Sequence, residues 1–308
     1  MTLRDMRLVS QAPVGPSLNG TDPDAALSIR ALESDILDLY ETGLQPGVAP
    51  GWLALKPYYT MKHGQVTVVT GIPHSGKSPF VNALAMHCMV AHDWMVAWSS
   101  PEHLPYHDLA ARLLQQFYQS LTFSEGTLMK MSRAEVMRAC DTLATKCYFL
   151  PASETNATIP HVLDRCLPLV DLGLTGLVID PYGEFEHRRP AGMTETEYVS
   201  QLLTEIRLFA RKHQVHVWLI AHPTKIQKGE DENYLVVKPY DIAGSAAWFN
   251  KPDNILSIYR TNEEPDLTQV HIQKVKFREV GHTGSCTLRH DSRTGTFYDL
   301  KPEQPPNA

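Results

Sequence analysis

The segment Gly71 to Ser78 fits the phosphate-binding pattern GxxxxGK[ST]. In this pattern, backbone N–H groups and the N-terminus of the following helix bind phosphate oxygens. The Lys77 ammonium can contact the outer phosphates, and the Ser78 hydroxyl can hold Mg²⁺. The other loop residues expected to contact the nucleotide are Gly71, Pro73, His74, Ser75 and Gly76.

Two carboxylates follow predicted hydrophobic strands. Asp180 ends the run Leu177-Val178-Ile179, and Glu102 comes shortly after the strand Trp94 to Ser99. Ligands of open α/β sheets bind at the carboxyl ends of the strands, so both residues are expected near the loop. Asp180 could organise Mg²⁺. Glu102 could orient or deprotonate an attacking water, or be a solvated helix-capping residue, and spacing alone leaves both interpretations open.

A histidine and two lysines follow the predicted strand Val215 to Ala221. His222 closes that strand, where it could hydrogen-bond to a phosphate, although a lone histidine more often packs or is solvated. Lys225 and Lys228 lie in the polar loop that follows. They could contact a nucleic-acid phosphate backbone or simply be solvated, and the charges do not decide between these roles.

A competing pair of motifs points to a guanine-nucleotide switch. Asp180 to Gly183 matches DxxG, and Asn250 to Asp253 matches NKxD. An NKxD that recognises guanine follows a hydrophobic strand, whereas Asn250 follows a small-residue segment that predicts a turn and a helix. Four-residue patterns recur by chance, so we do not expect a GTPase switch.

These residues must be positioned by a sheet. From Gly64 onward, short apolar runs alternate with amphipathic ones, which predicts an α/β fold of the P-loop NTPase type with a mainly parallel sheet flanked by helices. The predicted strands are Gln65 to Thr70, Trp94 to Ser99, Cys147 to Leu150, Leu174 to Asp180 and Val215 to Ala221. The predicted helices are Lys77 to Ala91, Leu104 to Gln119, Ser132 to Thr145, Ile159 to Leu172 and Thr194 to His213. Two helix starts have capping-box spacing, Ser132 with Glu135 and Thr194 with Glu197. Closely spaced antiparallel strands are predicted at Asn254 to Tyr259, Val270 to Phe277, Cys286 to His290 and Thr296 to Leu300.

Composition sets the remaining limits. The 308 residues carry a net charge of −6, so any nucleic-acid contact must come from a local basic patch. The five cysteines show no metal-ligand or disulfide spacing, and no apolar run reaches membrane-spanning length. We therefore expect a cytoplasmic protein without a membrane partner. The expected domains are a flexible tail (1–24), a linker helix with connector (25–63), a motor domain (64–301) and a second tail (302–308).

With the loop, Glu102, Asp180 and His222 in this order, the chain resembles the RecA-like motor domain of superfamily 4 hexameric helicases, especially the Twinkle-like branch, with DnaB more distant. The resemblance runs from about Asp35 to Asp299. The segments that carry it are Thr67 to Pro73, Ser100 to Glu102, Ile179 to Tyr182, Glu186 to Pro190, Ala221 to Lys225, Asp241 to Ala246 and Lys274 to Phe277.

The resemblance implies roles for individual residues. Glu102 would be the catalytic base, Asp180 the Mg²⁺-organising residue and His222 a phosphate sensor. That sensor would couple hydrolysis to a DNA-binding loop that contains Lys225 and Lys228. By the same likeness, Asn250 falls near a glutamine sensor position, and Arg260 and His290 near positions that hold the nucleotide base.

The family usually has an arginine finger that acts in the neighbouring subunit's site, and this chain offers two candidates for that role. The chain has Lys276 at that position and Arg278 two residues later, on what we expect to be the same strand face. Lysine is a point charge rather than a planar fork, so the two are not equivalent. We expect one of them to act in the neighbouring subunit's site and slightly favour Arg278.

The resemblance as a whole implies an ATP- and Mg²⁺-dependent hexameric helicase or translocase that moves 5′ to 3′ on single-stranded DNA. The expected partners are copies of the chain in a ring, a separate primase and replisome proteins, in the cytoplasm of a bacterial or phage-infected cell. The helix Ala25 to Tyr40 resembles a linker helix that docks on the adjacent subunit; packing against its own core is the alternative. A RecA-like recombinase and an ATP-gated DNA-binding ring with little unwinding are the rival functions.

Overall fold

The computed structural model describes residues 26–123, 130–151, 157–224, 226–229, 234–242, 246–261 and 263–300. The chain divides into two compact units, Met1–Gln45 and Pro46–Ala308. The predicted tails 1–24 and 302–308 lie outside the described residues, as does Lys225.

The first unit contains a short helical segment. A 3-10 turn, Ile29–Leu32, precedes α1, Glu33–Thr42. Ser28 caps the turn by accepting the N–H of Ala31, and Gly43, at φ 73°, ends the helix. None of the residues in these two elements is buried, although several are large and apolar: Ile29, Leu32, Ile36, Leu37, Leu39 and Tyr40. A helix this short is marginal by itself in water, so covering this apolar side would stabilise it.

The second unit is built on a mixed sheet. Its strands, as far as the described residues show them, are β1 Val66–Thr70, β2 Met95–Ser99, β3 Cys147–Phe149, β4 Leu174–Ile179, β5 His216–Ile220, β6 Asn254–Tyr259, β7 Leu267–Val275, β8 Gly284–Asp291 and β9 Thr296–Asp299. Their order across the sheet is β3-β2-β4-β5-β1-β6-β7-β8-β9. Neighbours from β3 to β6 run parallel, and β6 to β9 run antiparallel. This confirms the predicted fold class.

Helices cover both faces of the sheet. They are α2 Lys77–Ala91, α3 Tyr106–Tyr118, α4 Arg133–Leu143, α5 Ile159–Asp171, α6 Glu195–His213 and α7 Ala247–Asn250. The side chains of α2, α3 and α4 pack in one core cluster, and those of α5, α6 and α7 in another. Both predicted capping boxes are present, at Ser132 with Glu135 and at Thr194 with Glu197. No helix in the described part of the chain is long and apolar enough to cross a membrane.

One domain boundary differs from the sequence-based expectation. The connector was expected to extend to residue 63, but the compact unit begins at Pro46. Four apolar side chains from the segment before β1 are buried in the core, Trp52, Leu55, Tyr59 and Met61. Polar contacts add to this packing: the Trp52 indole donates to the Phe297 carbonyl, and Asp299 accepts the N–H groups of Leu53 and Ala54. Proline and glycine around residue 50 mark turns inside the unit rather than a linker.

The finger candidates also lie elsewhere than expected. Strand β7 ends at Val275, so Lys276 and Arg278 belong to the turn that follows it and do not share a strand face. The predicted strand extended to Phe277. The last two residues of that prediction, Lys276 and Phe277, are not part of β7. The backbone N–H of Lys276 donates to the carbonyl of Asp253.

Candidate nucleotide-binding site

The carboxyl ends of five neighbouring strands form one edge of the sheet. Along this edge the order is β2, β4, β5, β1 and β6. Those strands are followed, in the same order, by Glu102, Asp180, His222, the Gly71 to Ser78 loop and Arg260. The parallel strand order therefore brings together residues that are up to almost two hundred positions apart in the chain.

The loop between β1 and α2 has no room for side chains at two positions. A Cβ on Gly71, at φ 148°, would lie 2.2 Å from the carbonyl oxygen of Ile258. A Cβ on Gly76, at φ 89°, would lie 2.7 Å from a guanidinium nitrogen of Arg260. His74 adopts φ 62° and keeps its side chain exposed, so this position accepts a non-glycine residue in a left-handed conformation.

Lys77 lies at the start of α2 and is buried. Its Nζ donates to the carbonyl oxygens of Gly71, at 3.0 Å, and Ile72, at 2.8 Å. Burial lowers its pKa to about 8, while the charges of Asp180 and Glu102 act in the opposite direction. The ammonium is thus held inside the loop, where the backbone N–H groups that can bind a phosphate also converge.

Asp180 is buried just beyond the end of β4. Burial raises its pKa to about 7; a hydrogen bond from the Ser78 hydroxyl lowers the pKa, and the nearby Glu102 charge raises it further. Among the described residues, Oδ1 of Asp180 and Oγ of Ser75 have no hydrogen-bond partner. A buried carboxylate oxygen without a donor, beside a serine hydroxyl, fits a hard divalent cation that prefers oxygen ligands. Ser78 and Asp180 therefore suit Mg²⁺.

Glu102 and His222 flank this group. Glu102 is exposed on a 3-10 turn, Pro101–His103, and its charge affects the pKa values of Lys77, Asp180 and His222. Desolvation and the Lys77 charge lower the pKa of His222, whereas Glu102 and Glu184 raise it. Both side chains are therefore near enough to Lys77 for their charges to act on one another.

His103, which directly follows Glu102, is not among the site residues expected from the sequence. Its Nδ1 lies 2.8 Å from Oγ of Ser100 and 3.6 Å from Oδ2 of Asp180. Burial lowers its pKa, with Glu102 and Arg112 acting in opposite directions. The one available signal was the three-residue spacing from Ser100 to His103, which suits contact across a single turn.

Arg260 follows β6 and lies beside Gly76 of the loop, and its charge acts on His290 of β8. The Arg260 guanidinium donates to the Thr268 hydroxyl from Nε, at 3.2 Å, and from Nη2, at 2.8 Å. His290 is buried beside Phe297, with ring centroids 4.8 Å apart, and neither of its ring nitrogens bonds to a described residue. Burial and the Arg260 charge lower the His290 pKa to about 4. Antiparallel strands β7 and β8 supply Thr268 and His290, and this pairing was not readable from local sequence.

The structure does not bring Asn250 to the loop. Asn250 ends α7, and Asp253, three residues later, bonds to the start of β1 through its N–H to the Val66 carbonyl at 2.9 Å. The loop follows the opposite end of β1. The expected nucleotide contact of Asn250 is therefore not supported within one chain, and the NKxD match lies at the wrong end of the strand to recognise a base beside the loop.

The lysine loop after β5 is described in part. Lys228 is exposed, pairs with Tyr234 in a short antiparallel bridge, and has its Nζ 5.5 Å from the centre of the Tyr234 ring. Lys225 lies outside the described residues.

Comparisons with known proteins place these features in a family. No protein-family model matches the chain. The Twinkle homolog protein, chloroplastic/mitochondrial, of Arabidopsis thaliana is 35% identical over 266 residues, which is 83% of this chain. The chain has a RecA-like domain of the kind found in DnaB- and Twinkle-like superfamily 4 helicases. It spans 37% of that relative's length.

Solved structures show the same fold at low sequence identity. A solved ATPase domain matches with a TM-score of 0.71 at 17% identity, covering 90% of this chain and 100% of that one. A DnaB-like replicative helicase, solved in a study of its interactions with primase, matches with a TM-score of 0.69 at 18% identity, covering 89% and 71%. The RadB recombinase matches with a TM-score of 0.56 at 16% identity, covering 82% and 100%. These structures show the RecA-like fold, and the superfamily 4 resemblance seen in the sequence is supported by the relative that is 35% identical.

Proposed function

We propose that this RecA-like domain hydrolyses ATP as the motor of a hexameric DNA helicase or translocase. The observation that carries the proposal is the grouping of Glu102, Asp180 and Lys77 at one edge of the sheet. Charges within this group raise or lower the pKa values of Lys77, Asp180 and the neighbouring His222. A base, a metal-holding carboxylate and a phosphate-binding ammonium are the groups that phosphoryl transfer to water requires.

Each residue has a role in that reaction. The loop N–H groups and Lys77 would bind the β- and γ-phosphates, with Gly71, Pro73, His74, Ser75 and Gly76 forming the loop. Ser78 and Asp180 would hold Mg²⁺, which when bound neutralises charge on the phosphates. Glu102 would accept a proton from the attacking water. Arg260 and His290 would hold the base, because the Arg260 guanidinium lies beside Gly76 of the loop and its charge acts on the His290 imidazole, which has no hydrogen-bond partner among the described residues.

Coupling to DNA would run through His222. It lies at the end of β5, at the loop edge, and the chain continues directly into the segment with Lys225 and Lys228. Exposed lysines contact phosphates without reading bases, which suits a motor that must move along any sequence. The net charge of −6 is compatible with this role if the cations concentrate at the strand that they contact.

Completion of the site would need a second subunit. One of Lys276 and Arg278 would reach the neighbouring protomer's nucleotide, so that turnover depends on a ring. A separate primase and other replisome proteins are the proposed partners, and the primase interactions named for the DnaB-like relative support this. The Arabidopsis relative is chloroplastic/mitochondrial by name, so it does not support the expected bacterial or phage cytoplasm.

Two alternatives remain within the same fold. A RecA-like recombinase is less favoured, because RadB matches with a TM-score of 0.56 against 0.69 for the DnaB-like helicase. An ATP-gated ring that binds DNA with little unwinding would use the same site. Forked-duplex unwinding distinguishes it from a helicase, and a 5′ or 3′ tail on the fork gives the direction.

The deciding experiment measures ATP hydrolysis with and without a single-stranded oligonucleotide, alongside sizing with a non-hydrolysable ATP analogue. We expect DNA-stimulated hydrolysis, loss of hydrolysis in Glu102→Gln with nucleotide still bound, and loss of binding in Lys77→Ala. Competition by GTP tests the base preference. A monomer whose hydrolysis ignores DNA would refute the proposal.

A further inference from the structure

The 3-10 turn that carries Glu102 is tied to Asp180 by a short chain of hydrogen bonds. Ser100 Oγ lies 2.9 Å from the backbone carbonyl oxygen of Asp180 and 2.8 Å from Nδ1 of His103. In the sequence, Glu102 lies between Ser100 and His103. Both ends of the turn are therefore connected, through one hydroxyl, to the residue suited to hold Mg²⁺.

The direction of each hydrogen bond follows from counting protons. The Asp180 carbonyl oxygen can only accept, so the single hydroxyl hydrogen of Ser100 is donated to it. The Ser100 oxygen is then an acceptor towards His103, and Nδ1 of His103 must carry the hydrogen. The relay runs from His103 Nδ1–H to Ser100 Oγ–H to the Asp180 carbonyl.

Other hydrogen bonds, which do not belong to the relay, hold the backbone of the turn in place. The Tyr106 hydroxyl accepts the N–H of Ser100, at 3.2 Å, and donates to the carbonyl oxygen of Leu150, at 2.9 Å. The backbone carbonyl of Ser100 accepts the N–H of His103, at 3.2 Å. The fold of this segment therefore does not depend on the His103 ring. What the ring adds is the orientation of the Ser100 hydroxyl and a dipole 3.6 Å from Oδ2 of Asp180.

We propose that His103 is a positioning residue for hydrolysis: through Ser100, it fixes Glu102 relative to the carboxylate of Asp180. The inference rests on the proposed function, because it takes Glu102 as the base and Asp180 as the metal-holding group. The geometry of a base and a metal-bound phosphate must be held closely, since displacement by about 1 Å can cost about a hundredfold in rate.

Two amide substitutions test which ring nitrogen matters. Asparagine places an N–H close to the position of Nδ1, whereas glutamine places one close to that of Nε2. We expect His103→Asn to keep kcat for ATP within about threefold of the unaltered chain, and His103→Gln and His103→Ala to lower it about tenfold to a hundredfold. KM for ATP and the affinity for a fluorescent ADP analogue should stay unchanged in all three, because the loop contacts are intact.

The substitution Ser100→Ala is an independent test of the relay. It removes the middle of the relay, so its effect on kcat should match that of His103→Ala, and the double variant should be no worse than either single one. The control is His107→Ala, whose side chain is 80% exposed and outside the site. It should leave kcat and KM unchanged.

The outcomes separate the two proposals. If the unaltered chain hydrolyses no ATP with DNA present, the proposed function fails and this inference with it. If the chain is active but asparagine and glutamine give the same kcat, or if KM rises while kcat is kept, the positioning role is overturned and the proposed function stands. Should His103→Ala fail to fold, the asparagine and glutamine pair still decides, since both keep a polar side chain.

Discussion

Nζ of Lys276 lies 3.5 Å from Oδ1 of Asp253, a carboxylate that is only 1% exposed. The other oxygen of Asp253 accepts the N–H of Val66, at 3.1 Å, and Arg211 lies 3.6 Å from Oδ1. Asp253 thus joins the start of β1, the end of α6 and the turn after β7. The last residue of the NKxD match is a buried structural carboxylate at the far end of β1 from the phosphate loop.

Asp253→Ala should destabilise the fold. It leaves the buried Val66 N–H without its acceptor and removes the partner of two cations, which costs about 1–3 kcal/mol for the unsatisfied donor. Asp253→Asn keeps an acceptor oxygen and should cost less. Urea unfolding followed by circular dichroism measures both. Equal stability of Asp253→Ala and the unaltered chain would show that the carboxylate does not stabilise the fold.

The two finger candidates should respond differently. Both side chains are exposed in the turn, but Lys276 is paired with Asp253 of its own chain. We therefore expect Arg278→Ala to lose most DNA-stimulated ATP hydrolysis, by about a hundredfold or more, while nucleotide binding is kept. Lys276→Ala should chiefly lower stability. Steady-state hydrolysis with oligonucleotide, together with binding of a fluorescent ATP analogue, separates these effects. If only Lys276→Ala loses stimulation, the assignment reverses.

Acid should destabilise the second unit through His216. This ring is fully buried: Nδ1 contacts the Lys62 carbonyl, and Nε2 contacts the hydroxyls of Tyr59 and Thr67. Burial lowers its pKa from 6.5 to about 4. Below pH 6.5 the unfolded chain takes up a proton that the folded chain refuses until about pH 4, so stability is present above that window and is lost as pH falls through it.

The substitution His216→Asn tests this linkage. Asparagine can still donate to the Lys62 carbonyl but does not titrate. Between about pH 7.5 and about pH 5, the free energy of unfolding should fall by up to about 2 kcal/mol less in the variant than in the unaltered chain. The exposed His107→Asn should keep the full slope. Parallel slopes for the His216 variant and the unaltered chain would contradict a neutral buried His216.

The position of the boundary predicts which truncation is tolerated. Removing residues 1–45 should leave the second unit folded, with cooperative thermal unfolding. Removing residues 1–63 takes Trp52, Leu55, Tyr59 and Met61 out of the core, and the product should not fold. Trp52→Ala in the full chain should cost about 3 kcal/mol. A cooperative transition in the 1–63 deletion would place the boundary where sequence analysis expected it.

The sequence determined the phosphate loop, the strand and helix that flank it, and which carboxylates follow the strands of the parallel sheet. Gly71, Gly76 and Lys77 stand at fixed spacing because loop geometry is local, and alternating apolar runs reveal which carboxylates follow a strand. The capping boxes at Ser132 and Thr194 were predictable for the same reason, since their hydrogen bonds span only three residues.

Only the tertiary structure decided which distant groups meet. The packing of Trp52 in the core, the relay from His103 to Asp180, the effect of the Arg260 charge on His290 and the anchoring of Lys276 by Asp253 all depend on strand order and register. A local pattern contains no information on the distance between residues brought together by a sheet. The same limit explains why NKxD suggested a base-binding site, although the burial of Asp253 makes it a structural anchor.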